Sequence, residues 1–80
     1  MSVAIDESAR PLENVRAQLQ VGWHLAGPAF ERPAYVAAAG QVRAVELLLC
    51  AGGGRQIMVV PDGPALRHFL HDCGLAVIPA

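Results

Sequence analysis

The chain has 80 residues, a formal net charge of −1, 54% hydrophobic residues and 16% charged residues. That length admits one small domain with a modest core and no room for a deep catalytic cleft within a single copy. Six Arg, no Lys and seven acids lie scattered along the chain, which excludes a clustered cationic footprint for nucleic acid. Nothing reaches the run of about 18 apolar residues that a membrane-spanning helix needs.

Residues 1–7 read as a loose N-terminal tail, and 8–80 as a single α+β domain. The tail lacks a basic start and a long apolar run, so it does not read as a secretory signal, and the expected location is cytoplasmic. Arg without Lys, with many Ala, Gly, Pro and Val, is the composition a GC-rich genome imposes and points to a bacterial source. Ser8 is placed to cap a first helix, with Pro11 in its opening turn. Leu12, Val15, Leu19 and Trp23 recur at helical spacing, and Gly22 is placed to end the helix in the left-handed conformation.

From Trp23 to Ala39 the pattern is broken. Trp23 to Ala26 suits a short strand, and Pro28 and Pro33 confine the segment to an edge strand or an irregular run. Ala34 to Ala39 suits one or two helical turns. Val42–Cys50 and Ile57–Val60 are β-prone runs joined by Ala51-Gly52-Gly53-Gly54, a hairpin pattern, with a helix over 36–50 as its rival. A second helix is expected from about Gly63 to Cys73, capped by Asp62. Leu66, Phe69, Leu70 and Cys73 form its apolar stripe, and Gly74 and Leu75 close it. Ala76 to Ile78 can add a short last strand.

The expected architecture is therefore α+β: a small antiparallel sheet of three to four strands with two helices on one face, in the order α-β-β-β-α(-β). This order, over residues 8–74, resembles that of double-stranded-RNA-binding domains. In that family a Lys-rich start to the last helix grips phosphates. Here that position reads Asp62-Gly63-Pro64-Ala65, so the resemblance carries the element order and no activity.

The concentrated ligand-type residues are His68, His71, Asp72 and Cys73. His-x-x-His is a spacing that metal sites use. The helical wheel, however, turns His68, His71 and Asp72 away from the Cys73 stripe, as a solvated face does. Gly52-Gly53-Gly54-Arg55 could cradle an anion, but a phosphate loop needs a Lys and a following helix, and a strand comes next instead. Cys50 and Cys73 lie on apolar stripes, which argues against His–Cys catalysis with His24. Trp23 reads as core; Phe30 and Tyr35 have only Arg32 nearby, cancelled by Glu31, so base stacking is not indicated. No catalytic residue, cofactor or metal is assigned.

The functional expectation is a non-catalytic module that acts by protein–protein association, a homodimer being the expected form, with no nucleic-acid or membrane partner. A sheet covered on one side should carry polar residues on the other. Leu48 and Cys50, with Met58 and Val60 or else the alternate pair Ile57 and Val59, would instead present an apolar surface. The alternative is a small-ligand or metal-binding regulator that uses His68, His71, Asp72 and Arg55. A minor enzyme with its site at a subunit interface ranks behind both.

Overall fold

Two helices bounded by proline and glycine, and one long hairpin closed by a glycine turn, set the architecture. The computed structural model describes residues 3–80. In chain order the elements are β1 (Val3–Ile5), a 3₁₀ turn (Glu7–Ala9), α1 (Pro11–Gln20), β2 (His24–Val36), β3 (Gly40–Ala51), β4 (Gly54–Pro61), α2 (Pro64–Asp72) and β5 (Val77–Ile78).

The strands form one five-stranded mixed sheet in the order β1-β2-β3-β4, with β5 also paired to β2. The antiparallel core of β2, β3 and β4 matches expectation. The parallel additions do not: β1 pairs with Ala34–Val36, and β5 with Ala29 and Phe30, along the same edge of β2. Part of the expected loose tail is thus a strand; Met1 and Ser2, the rest of its start, lie outside the described residues. The expected break between residues 23 and 39 is absent too. One 13-residue strand spans it, absorbing Gly27-Pro28 as a register shift between Ala26 and Phe30. Pro33 is tolerated because it falls between the β5 and β1 pairings on the outer edge of β2, where among the described residues no strand pairs with it.

Both helices cover one face. Val15 from α1 and Leu66, Phe69 and Leu70 from α2 pack on Val45, Leu47, Leu49 and Val60 of the sheet. Val15, Val45, Leu47, Leu49 and Leu70 are fully enclosed, each contributing about 1.5–3 kcal/mol relative to exposure. The Arg16 guanidinium lies 5.2 Å from the centre of the Phe69 ring and bridges the helices.

The helix ends show which local signals acted. Gly22 (φ 107°) and Gly74 (φ 68°) terminate the helices in the left-handed region. The N–H groups of Trp23 and Leu75 reach back to the Gln18 and Leu70 carbonyls at 3.1 and 3.0 Å. The N-termini depart from expectation. Arg10 and Gly63 hold the cap positions without side-chain capping bonds. Ser8 instead donates its N–H to the Asp6 carboxylate. Asp62 is turned toward Gly63 N–H and Arg67. Cys73, expected in the core stripe, is exposed: it keeps helical dihedrals and its N–H donates to the Phe69 carbonyl at 3.0 Å, but it is the capping residue at the very end of α2.

Candidate functional site

Because strand side chains alternate, the residues between those buried under the helices point to the far face of the sheet. On β3 these are Ala44, Glu46, Leu48 and Cys50. The register then fixes the neighbours: Ala26 and Ile57 flank Leu48, Phe30 and Val59 flank Glu46, and His24 and Arg55 flank Cys50. Ile78 stands beside Phe30 through the β5 pairing.

This far face has two parts. At one end β1 folds over it, and Ile5 packs with buried Ala34, Val36 and Ala44, joined at the margin by Val42 and Val59. The other end is uncovered. Ile57 is 62% exposed, Phe30 45% and Ile78 43%, grouped around the half-buried Leu48. An ion pair divides the two parts: Arg32 Nη1 lies 2.8 Å from Glu46 Oε1, while the buried Arg32 Nε has no hydrogen-bond partner among the described residues.

Leu48 and Cys50 lie where the sequence placed them, on the open face. Met58 and Val60 do not. Leu47 pairs with Met58 and Val45 with Val60, so both point under the helices; Val60 is 3% exposed and belongs to the main core. The alternate pair, Ile57 and Val59, takes the far face, Ile57 in its open part and Val59 at the margin of the covered part. Phe30 and Ile78 were not anticipated. The signal for Ile57 lay in the turn: counting outward from a two-residue loop at Gly52-Gly53 sets Leu48 opposite Ile57. No comparable signal marks Ile78, which is aligned by a two-residue strand.

The residues of the ligand-site alternative are not assembled. His68 Nε2 is 3.3 Å from Asp72 Oδ2, both well exposed on the solvent side of α2, and His71 is exposed beside them. Arg55 lies on the opposite face of the sheet from α2. Among the described residues no group of three or more His, Cys, Asp or Glu is arranged to hold a metal ion.

The largest charged cluster sits at the helix-side end of the sheet. Arg67 grips Asp62 through Nε at 2.7 Å and Nη2 at 2.9 Å and reaches Glu31 at 3.4 Å, which Arg43 approaches at 3.6 Å. The Arg67 hydrogen bonds hold the Asp62 carboxyl below its ordinary value, and Arg67 is raised above its own. Two cations meet two carboxylates here, so the cluster ties β2, β3 and α2 together and leaves no surplus charge for a ligand. Among the described residues no helix is long and apolar enough to cross a membrane. Set against known proteins, the chain matches no family model, no curated protein and no solved structure.

Proposed function

We propose that this chain is a non-catalytic association module that docks a second copy of itself through the open part of its sheet. The observation that carries the reading is the exposed apolar group Phe30, Ile57 and Ile78 around Leu48, on a face where a free-standing sheet would carry polar residues. A second copy is the partner that fits. The charges bordering the patch toward β1 are already matched in the Arg32–Glu46 pair, so that border calls for no oppositely charged partner. A two-fold dimer is also the commonest closed arrangement for one chain type. Action by association in the cytoplasm, without a cofactor, a nucleic acid or a membrane, is part of the same proposal.

The test is molar mass by light scattering over a range of concentrations, for the native chain and for Ile57→Glu. Ile57 is the most exposed residue of the patch, so a charge there leaves the monomer folded. The expected result is a dimer that I57E dissociates while the monomer keeps its circular dichroism and a cooperative melting transition. A strictly monomeric mass up to about 1 mM, the range of weak association, removes the reading.

A further inference from the structure

We propose that Cys50 is a thiol-exchange site for small anionic disulfides, with His24 accepting the thiol proton and Arg55 gripping the incoming anion. The placement comes from two registers that meet at one residue. His24 of β2 pairs with Cys50 of β3, and Cys50 pairs with Arg55 of β4. Residues directly opposed across neighbouring strands point to the same side with Cβ atoms about 5 Å apart. Imidazole, thiol and guanidinium therefore stand abreast on the open face, at its hairpin-turn end.

Their surroundings leave them free to act. Cys50 is half-buried and in no disulfide, while His24 and Arg55 are exposed. Arg10, Arg32, Arg43 and Arg67 each hold a carboxylate, and Arg16 covers Phe69. Arg55 has no such partner among the described residues. No acid is opposed to any of the three along these registers.

The reaction is an exchange. The Cys50 proton passes to a ring nitrogen of His24. The sulfur's electron pair forms a new S–S bond to one half of the disulfide; the old S–S bond breaks, and the other half leaves as a thiolate. Cys50 is oxidised to a mixed disulfide and the departing half is reduced, so no further oxidant is needed. Arg55 favours reagents that carry a carboxylate near the reacting sulfur.

Cys73 is the internal control. It is exposed, so simple access favours it over Cys50. It also sits at the C-terminal cap of α2 beside Asp72, where the helix carbonyls and the acid oppose an approaching anion. Access and electrostatics thus predict opposite orders of reactivity.

The experiment compares Cys73→Ser and Cys50→Ser, which leave one thiol each, in their rates with dithiobis(nitrobenzoate), which is anionic, and with bis(hydroxyethyl) disulfide, which is neutral. Circular dichroism confirms the fold, and several protein dilutions are used. Cys50 is expected to react with the anionic probe about tenfold faster than Cys73, the factor one unit charge about 5 Å away supplies at a dielectric between those of water and a protein surface. Arg55→Gln should remove that advantage and spare the neutral probe; His24→Gln should slow both probes. A Cys50 rate at or below that of Cys73 at every dilution overturns the proposal, whatever the mass of the sample. So does a Cys50 rate that neither substitution changes. The masses come from light scattering on the same samples, so a failure here is separate from a failure of the association reading.

Discussion

Leu47 and Leu48 are consecutive leucines on one strand, and the pleat gives them opposite fates. Leu47 is fully enclosed between sheet and helices; Leu48 is half-buried on the open face. Truncating Leu47 to Ala removes three buried carbons, about 2.4 kcal/mol at about 0.8 kcal/mol each, and leaves a cavity, for a total of about 3–5 kcal/mol. Truncating Leu48 removes the same atoms from a site already half in water and encloses no void, so about 1 kcal/mol is expected. A domain of this size has roughly 4–12 kcal/mol in all. Urea unfolding, followed by far-UV circular dichroism and by the fluorescence of Trp23, has a slope of about 1 kcal/mol per molar for so small a protein. The midpoint should therefore fall by about 3 M or more for Leu47→Ala, to the point of an unfolded chain, and by about 1 M for Leu48→Ala. Both must be read at one low protein concentration, so that dimer dissociation does not enter. Equal losses would refute the assignment of faces, and with it the patch on which the association reading stands.

The same packing sets three further outcomes. Asp62 is held below its ordinary value of 3.8 by Arg67; the unfolded chain takes the proton first as pH falls, so this stabilisation is full above about pH 4 and lost below it. Arg67→Gln should flatten the acid limb of melting temperature against pH, and native and variant curves that run parallel below pH 4 would contradict the pair's role. Phe69→Ala should cost about 3–5 kcal/mol in urea unfolding, whereas a loss within about 0.5 kcal/mol would place the ring outside the core. Titration with duplex RNA and DNA at physiological salt should show no useful binding, since phosphate contacts need clustered cations; sub-micromolar binding that weakens steeply with salt would overturn that.

The parts of the fold legible in the sequence were those written in a local period. Leu66, Phe69 and Leu70 repeat at helical spacing, and Gly74 with Leu75 closes that helix in the expected way. Gly52-Gly53 joins two β-prone runs as a two-residue turn. What stayed hidden depends on distant pairing. Val3–Ile5 and Val77–Ile78 are too short to show alternation, and only their docking on β2 makes them strands. Cys73 continues the stripe of Phe69 and Leu70 on paper, but as the capping residue at the end of the helix it is left exposed. For the site, Leu48 and Cys50 could be placed by alternation along one strand. Val60 and Met58 could not, because a one-residue difference in turn length exchanges the faces of the whole following strand. The row of His24, Cys50 and Arg55 joins residues from three strands and exists only in the register.

The docking of β1 and β5 along a single edge of β2 governs how this sheet can grow. Each blocks part of that rim to an incoming chain, and Pro33 in the gap between them offers no N–H. The rim of β4 has no strand paired along it among the described residues. Counted from the closing pair Ala51 and Gly54, it is Arg55, Ile57 and Val59 that turn their amide and carbonyl groups outward there. The sheet curls, however, and β1 approaches β4 across a groove lined by Ile5 and Val59, so this rim is partly screened as well. With one rim guarded and the other screened at its β1 end, the edge-to-edge stacking that builds fibrils has no long free template from which to start, and a second copy is left the open face.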